Sequence, residues 1–211
     1  MKIVCLSDTH NCNEQITVPD GDMLIHSGDA TLNGSEDEIE AFFRWFSSHP
    51  HKHKIFVAGN HDWLFETDAA TASQLVARYD IKYLQDSSIM IDGLKIYGSP
   101  WQPRYYDWAF NLDPGPELNE KWKLIPDDTD ILITHVPPKG ILDFVRKKLW
   151  VEKTGCRELR KRVQQVKPKL HVFGHIHSGY GQIKKFGIKF VNACNCDESY
   201  EPVQSPIVID L

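Results

Sequence analysis

Acidic, amide and imidazole side chains follow five short apolar segments of this chain, each at the point where the segment ends. The clearest case is the stretch LHVFGHIH at residues 170–177, in which a glycine separates an apolar run from two histidines. In an extended strand, residues two positions apart point to the same side. His175 and His177 are therefore predicted to face one common space, as metal ligands do.

The same arrangement recurs after the other apolar segments, and it defines the candidate metal ligands. These are Asp8, His10, Asp29, Asn60, His135, His175 and His177. Carboxylate, amide and imidazole groups without a thiolate suit manganese, iron or zinc, whereas calcium and magnesium usually take oxygen ligands alone. Seven ligands are too many for one tetrahedral ion and fit two divalent ions that share a carboxylate. Two ions about 3.5–4 Å apart are typical of phosphoryl chemistry.

Periodic patterns predict the elements that must position these residues. Apolar runs predict buried strands at residues 2–7, 23–26, 54–58, 131–134 and 170–173. A capping box of Ser35 and Glu38 precedes an amphipathic helix whose apolar face runs from residue 39 to residue 46. Further helices are predicted at residues 71–79 and 156–166. Residues 89–97 predict a β-hairpin that turns at Asp92-Gly93.

The order of these elements indicates the architecture. Strands that alternate with helices in the first half predict a largely parallel sheet covered by helices. The hairpin and the late strands at residues 183–186, 188–191 and 207–211 predict a second, more antiparallel sheet packed against the first. Residues 98–130 are predicted to form a long irregular segment, which inside a compact domain is usually a functional loop. Sites in open α/β sheets lie beyond the carboxyl ends of the strands.

Composition narrows the classes of function. The net charge of −5 provides no bulk attraction to nucleic acid or to an anionic membrane. Five cysteines without a Cys-x-x-Cys pair indicate reduced thiols. The first apolar run is too short for a signal sequence, and no segment resembles a membrane span. We expect one cytoplasmic domain over residues 1–211 that binds neither membrane nor nucleic acid, and the oligomeric state stays open.

Five sequence blocks, in chain order, resemble the calcineurin-like metallophosphoesterase superfamily. They are Asp-x-His, Gly-Asp, Gly-Asn-His-Asp, a single His after a buried strand, and Gly-His-x-His, all present without substitution. The segments IHSGD (25–29), GSPW (98–101), KLHVFGHIH (169–177), FVNA (190–193) and SPIVIDL (205–211) resemble its metallophosphoesterase-domain-containing branch, which is class III cyclic nucleotide phosphodiesterase-like. The similarity covers essentially the whole chain. Both histidines of the last block are kept, which favours activity.

The resemblance implies a four-layer α/β/β/α sandwich of two mixed sheets flanked by helices, with the metals at the carboxyl ends of the strands. It assigns one ion to Asp8, His10, Asp29 and His177, and the other to Asp29, Asn60, His135 and His175. Asp29 would thus bridge the two ions. A hydroxide between them would attack phosphorus in line, because metal binding lowers the pKa of water toward about 7.

The implied activity is that of a metal-dependent phosphodiesterase acting on a small phosphodiester, for which a cyclic nucleotide is the first candidate. Manganese is the favoured metal, and iron or zinc are alternatives. His61 would face the leaving oxygen as a general acid, and Asp62 would orient His61. Asn60 would help to neutralise charge on the phosphoryl oxygens. The motif blocks contain no Arg or Lys, which favours diesters over the more highly charged monoesters.

Alternatives remain for the function and for one loop. A nuclease or phosphoprotein phosphatase of the same superfamily is possible, although the acidic balance counts against both. A metal-bearing scaffold without turnover is a third alternative, against which the intact Gly-His-x-His block counts. Residues 101–108 (WQPRYYDW) either line a substrate pocket or cover a sheet edge. If they line the pocket, Trp101 or Tyr105 would pack against the substrate and Arg104 would meet phosphate.

Overall fold

The structure is a computed structural model that describes residues 1–146 and 150–211. The strands within these ranges are β1 (Lys2–Leu6), β2 (Met23–His26), β3 (His53–Phe56), β4 (Lys82–Tyr83), β5 (Ser87–Ile91), β6 (Leu94–Ser99), β7 (Gln102–Pro103), β8 (Asn111–Leu112), β9 (Ile131–Thr134), β10 (Phe144–Arg146), β11 (Val151–Lys153), β12 (Leu170–Phe173), β13 (Gly181–Lys185), β14 (Ile188–Asn192) and β15 (Ile207–Asp210). The helices are α1 (Glu36–Ser48), α2 (Leu64–Thr67), α3 (Ala69–Arg78), α4 (Pro116–Lys123) and α5 (Arg157–Val166). Among these helices, none is long and apolar enough to cross a membrane.

Two mixed sheets carry the fold. The first has the strand order β15-β1-β2-β3-β4, in which only β15 runs antiparallel to its neighbour. The second has the order β13-β14-β12-β9-β6-β5, with a parallel centre of β14, β12, β9 and β6 and an antiparallel strand at each edge. In each sheet, the parallel strands bring their carboxyl ends to one edge.

Three hydrophobic clusters separate four layers. Alternate residues of the two sheets, such as Ile25 and Val172, are fully buried against each other. The opposite face of the first sheet packs against α1 and α3, where Phe43 is fully buried. The opposite face of the second sheet packs against α4 and α5, which contribute Trp122 and Leu159. The predicted four-layer α/β/β/α architecture is confirmed. That residues 1–211 are one domain stays a prediction.

The segment of residues 98–130 contains more regular secondary structure than the sequence predicts. It contains β7, β8 and the helix α4, so the prediction of a wholly irregular segment is wrong. Pro116 stands in the first turn of α4, where its missing N–H costs nothing. Leu118 and Trp122, four positions apart, are both buried against the second sheet. The hairpin turn at Asp92-Gly93 is present as predicted, with positive φ at both residues.

Sharp turns follow the strands that carry the candidate ligands. Asp8, His10, Asp29 and His175 have φ values of 51°, 41°, 55° and 67°. Non-glycine residues seldom adopt this left-handed conformation, and such residues are concentrated at functional sites. The turn after β1 is held by the Asp8 N–H, which donates to the Gly28 carbonyl at 2.8 Å. The two sheets therefore present their ligand residues to a common space.

Glycines next to the ligands allow the chain to come this close. A Cβ atom on Gly174 would overlap the Asp8 carboxylate and the Ser7 hydroxyl. A Cβ atom on Gly59 would overlap the carboxylate of Asp29 and crowd the ring of His135. The glycine of each block is therefore required by the packing of a ligand, and any side chain there would displace it.

We expect Gly174→Ala to reduce stability by about 1–3 kcal/mol, the usual cost of forcing an extra methyl group into a packed site. It should also lower metal content, because the displaced group is the Asp8 carboxylate. Urea unfolding and elemental analysis measure the two effects. Gly187→Ala is the control for metal content, since the φ of 82° at Gly187 strains any side chain there but no atom lies within 4 Å of the added Cβ. A Gly174→Ala protein with the stability and metal content of the wild type would contradict this account.

Candidate metal centre

Asp8, His10 and His177 form the first group of candidate ligands, although they come from opposite ends of the chain. The His177 Nε2 lies 3.2 Å from Asp8 Oδ1 and 3.3 Å from the His10 Nε2. The His10 Nε2 lies 4.0 Å from Asp8 Oδ1. Asp8 and His10 are almost completely buried. Three ligand atoms at these separations leave room for one ion between them.

Backbone carbonyls orient both imidazole rings of this group. The His10 Nδ1 lies 3.3 Å from the Thr31 carbonyl oxygen, and the His177 Nδ1 lies 2.7 Å from the Asp197 carbonyl oxygen. Each Nδ1 therefore carries a proton, and each Nε2 is the nitrogen that can present a lone pair to an ion. Such hydrogen bonds to the second nitrogen are the usual way in which proteins fix a metal-binding histidine.

His135, Asn60, His175 and Asp29 form the second group. The His135 Nε2 lies 3.0 Å from Asn60 Oδ1, 3.2 Å from the His175 Nδ1 and 3.3 Å from Asp29 Oδ2. The His135 Nδ1 is held by the Ser27 carbonyl at 3.0 Å. His135 is fully buried, and Asn60 and Asp29 are nearly so. The group thus offers two imidazole nitrogens, an amide oxygen and a carboxylate to a single point.

Asp29 lies close to both groups of ligands. Ligand atoms of Asp29, His135 and His175 lie within 4.8 Å of one another, and so do those of Asp29, His10 and His61. Asp29 Oδ1 also accepts the His61 N–H at 2.8 Å, which fixes the carboxylate. The structure therefore brings all seven predicted ligands together, with Asp29 between the two groups.

The donor atoms fit divalent ions, because among the described residues no Lys or Arg side chain forms an ion pair with Asp8 or Asp29. Nitrogen lone pairs and carboxylate oxygens that face each other at about 3 Å repel one another unless positive charge lies between them. When no metal is bound, protons supply that charge. Burial lowers the pKa of His135, but the charge and hydrogen bond of Asp29 outweigh it and raise the pKa to about 9. For His177, burial is likewise outweighed by Asp8, which raises the pKa to about 9.

The pKa values of the two carboxylates are shifted in the opposite direction, downward. Burial by itself raises the pKa of Asp8, but the hydrogen bond and charge of His177 hold it well below its usual range. Burial of Asp29 is likewise outweighed by the charges of His135 and His61, so its pKa is also lowered. The centre is thus built from ionised carboxylates, from His135 and His177, which exchange a proton for a metal ion, and from two neutral imidazoles. Burial lowers the pKa of His10 to about 4 and that of His175 to about 3.

His61 lies beside the first group and faces the open side of the centre. Its Nδ1 lies 2.7 Å from the Leu32 carbonyl oxygen, which leaves Nε2 as the free nitrogen. The ring packs against that of Trp108, with centroids 4.1 Å apart, and meets the ring of His10 edge-on at 4.8 Å. His61 is 7% exposed, so only one edge of its ring is accessible to a substrate.

Asp62 does not orient His61, contrary to the prediction from sequence. Its carboxylate accepts hydrogen bonds from the Gly59 N–H at 2.8 Å, the Thr31 hydroxyl at 2.9 Å and the Thr31 N–H at 3.1 Å. Burial and the nearby charge of Asp29 raise the pKa of Asp62 to about 6. Asp62 therefore ties the loop of Asn60 to the loop of Asp29, and the Leu32 carbonyl orients His61 in its place.

Cys194 is a neighbour of the centre that the sequence did not reveal. Its Sγ lies 3.1 Å from Asp8 Oδ2, and burial raises its thiol pKa, so the thiol stays protonated and donates to the carboxylate. The His175 N–H donates to the same oxygen at 3.0 Å. Its position at a strand end could have indicated this, because Cys194 follows β14, whose carboxyl end lies beside that of β12.

A cavity of about 910 Å³ opens over the metal centre. Its walls include Asp29, Asn60, His61, His175 and His177 together with residues 103–108 and Tyr200. Only part of the segment of residues 101–108 therefore lines the cavity. Tyr105 and Trp108 line the cavity. Trp101 does not, because its indole N–H donates to Asp86 at 2.8 Å and its ring lies under the Lys121 ammonium.

Comparisons with known proteins agree with this geometry. The sequence profile of the family described as calcineurin-like phosphoesterase matches residues 1–179. The chain is 44% identical to metallophosphoesterase domain-containing protein 1 of Homo sapiens and of Mus musculus. Each alignment covers 100% of this chain and 71% of the relative.

Solved structures share the fold at low sequence identity. Phosphopantetheinyl hydrolase from Mycobacterium tuberculosis has a TM-score of 0.62 and 15% identity, over 98% of this chain and 95% of that one. TT1561 of Thermus thermophilus has a TM-score of 0.60 and 16% identity, over 90% of this chain and 88% of that one. At such identities the similarity shows the fold alone.

Two variants test whether Asp29 is shared. Asp29→Asn should weaken both ions, because the lost charge serves both groups, whereas His10→Ala should weaken only the first. Elemental analysis after metal loading should then give less than one ion per chain for Asp29→Asn and about one for His10→Ala. Asp92→Asn, in the exposed hairpin turn, is the matched control and should keep two. Wild-type protein that holds a single ion would contradict the arrangement.

Metal binding should release protons at neutral pH. His135 and His177, with pKa values of about 9 when no metal is bound, are protonated at pH 7 and must lose these protons to coordinate an ion. Metal affinity should therefore rise with pH up to about 9. Calorimetric titration with Mn²⁺ in two buffers of different ionisation enthalpy measures the release. Heats that do not depend on the buffer would show that these imidazoles are already neutral.

Proposed function

This chain belongs to the calcineurin-like phosphoesterase family, whose members are metal-dependent phosphoester hydrolases, and from that premise we propose that it hydrolyses small organic phosphodiesters. The observation that carries the proposal is the convergence of six further ligands around Asp29 beneath a cavity, with only His175 and His177 of the seven partly exposed. A scaffold without turnover would need neither the cavity nor the accessible edge of His61.

The residues that would hold the two ions are those named above. Asp8, His10 and His177 would hold the first, Asn60, His135 and His175 the second, and Asp29 both. When bound, two such ions activate water and neutralise charge on the phosphoryl oxygens. Manganese suits this mixture of oxygen and nitrogen ligands and is the metal we propose. The Cys194 thiol contacts Asp8 from the side of Oδ2, so Oδ1 is the oxygen that faces His177.

Side chains of the protein would position the substrate and supply a proton to the leaving oxygen. The Asn60 amide lies at the floor of the cavity, where it can meet a phosphoryl oxygen. The Leu32 carbonyl fixes the His61 ring, so a proton on Nε2 faces the substrate and can pass to the leaving oxygen. Trp108 packs against the same ring and limits its rotation and its access to water.

The charges of the cavity favour diesters. Arg104 is the one Lys or Arg side chain among the described residues that line it, and its Nε donates to Asp113 at 2.6 Å. Among these residues, a monoester dianion would therefore meet no unpaired Lys or Arg in addition to the metals. A diester carries one charge and an organic group that Tyr105 and Trp108 can contact. Cyclic nucleotides fall within this class, since an aromatic base can stack on these rings.

We also propose that the protein acts in the cytoplasm. The five cysteines are all free in the structure, and four of them are buried. Reduced thiols are typical of that compartment.

Loss of the His61 side chain should slow turnover without removing the metals. General acid catalysis contributes roughly 10²–10⁴ in rate, so His61→Ala should lose about that much with an alkyl leaving group. The loss should be smaller with p-nitrophenolate, which leaves without protonation. Initial rates on both kinds of ester, with metal analysis of the same samples, measure this. If the metal content fell together with the activity, His61 would be a ligand rather than an acid.

Preference for diesters is measured with two chromogenic substrates and one metal. The kcat/KM for bis(p-nitrophenyl) phosphate should exceed that for p-nitrophenyl phosphate, because the described residues of the cavity offer no unpaired Lys or Arg for the second charge. Trp101→Phe is the control variant and should keep the preference, since Trp101 lies outside the cavity. Equal or reversed values of kcat/KM would refute diester specificity, and no turnover of either substrate with any divalent metal would refute the proposed activity.

A further inference from the structure

Aromatic rings from two separate loops line the cavity above the metal centre. Trp108 packs on His61, and the ring of Tyr200 lies 4.5 Å from that of His10 and 6.0 Å from that of His61. Tyr105 lies further out and pairs with Tyr106 at 4.5 Å between centroids. These side chains are partly exposed, so their faces are available to a ligand.

Both loops are held in place by hydrogen bonds. Asn111 Oδ1 accepts the Tyr105 N–H at 3.2 Å, and Asn111 Nδ2 donates to the Tyr106 carbonyl at 3.0 Å. The Tyr200 N–H donates to the Asp197 carbonyl at 3.0 Å, and the same carbonyl accepts the His177 Nδ1 proton. Tyr200 has a positive φ of 62°. The rings therefore form a wall in which Tyr200 is coupled to the metal ligand His177 through the Asp197 carbonyl.

The charges of this wall are predominantly negative. Asp107, Glu152 and Glu198 line the cavity in addition to the metal-binding carboxylates. The guanidinium of Arg104 is paired with Asp113 outside this set. Among the described residues, none of the three acidic side chains forms an ion pair.

We propose that this wall binds an ammonium group, and that the substrate class is a phosphodiester of an amino alcohol such as choline or ethanolamine. The inference rests on the proposed phosphodiesterase function and names its substrate. An ammonium group in this cavity gains from the aromatic faces that line it and from the acidic side chains of the same cavity. A second anionic group on the substrate would be repelled by the same acidic side chains.

The proposed reaction is the hydrolysis of one ester bond of the phosphodiester. Water adds its oxygen to phosphorus, one P–O ester bond breaks, and the released oxygen takes a proton to become the free alcohol. The products are a phosphomonoester and an alcohol, with no change in oxidation state. The ammonium group takes no part in the bond changes and serves only to bind.

The test compares two esters of equal shape that differ in charge. The choline ester of p-nitrophenyl phosphate and its carbon isostere, the 3,3-dimethylbutyl ester, share a leaving group and differ only in the quaternary nitrogen. With wild-type protein at low ionic strength, kcat/KM for the choline ester should be higher by roughly tenfold, the combined effect of cation–π contacts and surface charge. A ratio of one, or a preference for the neutral ester, overturns the inference.

Variants identify the groups responsible. The double variant Glu152→Gln with Glu198→Gln should bring the ratio toward one, and Tyr200→Leu should lower it while Tyr200→Phe keeps it. Glu36→Gln, at an exposed position at the start of α1, is the matched control and should keep the wild-type ratio. An unchanged ratio in the double variant and in Tyr200→Leu would overturn the assignment of these residues.

The outcome for bis(p-nitrophenyl) phosphate separates this inference from the proposed function. If wild-type protein hydrolyses this diester but shows no preference for the choline ester, the proposed phosphodiesterase function stands and the ammonium site is refuted. If it hydrolyses none of the diesters with any divalent metal, both proposals are refuted. Rising salt should reduce the choline preference, because exposed charges are screened.

Discussion

The structure depends on one electrostatic constraint, which is that buried lone pairs and carboxylates can converge only around positive charge. Asp8 and Asp29 are removed from water, and each faces imidazole nitrogens at distances near 3 Å. Burial of an unpaired carboxylate costs several kcal/mol, so protons or metal ions must accompany it. The turns with positive φ and the glycines without room for a Cβ atom follow from bringing these groups together. Tyr200 in the aromatic wall is in turn positioned by the Asp197 carbonyl, which also orients His177.

Much of the centre could be predicted from sequence because it lies at strand ends. Asp8, Asp29, His135 and His175 each follow an apolar run, and parallel register carries the ends of such runs to one edge of a sheet. The helix that begins with the Ser35 capping box was predictable for a similar reason, since its signal is local. Side-chain chemistry and strand order together predicted the ligands and two packed sheets, whereas the family resemblance supplied the four-layer arrangement and the division of the ligands between two ions.

What could not be predicted depends on loops and on contacts between distant parts of the chain. Asp62 was expected to orient His61 because they are adjacent, yet its carboxylate turns to Thr31 and Gly59. Trp101 was a candidate for the pocket, but Asp86 and Lys121 hold it on the outside. Tyr200 reaches the centre through a turn at the far end of the sequence. No periodic pattern encodes these contacts.

The central claim is that two ions share Asp29, and diffraction tests it most directly. Crystals loaded with Mn²⁺ and measured at the manganese absorption edge should show two anomalous peaks about 3.5–4 Å apart, with the Asp29 carboxylate between them. His10 and His177 should contact one peak, and His135 and His175 the other. A single peak, or two peaks that Asp29 does not connect, would contradict the account.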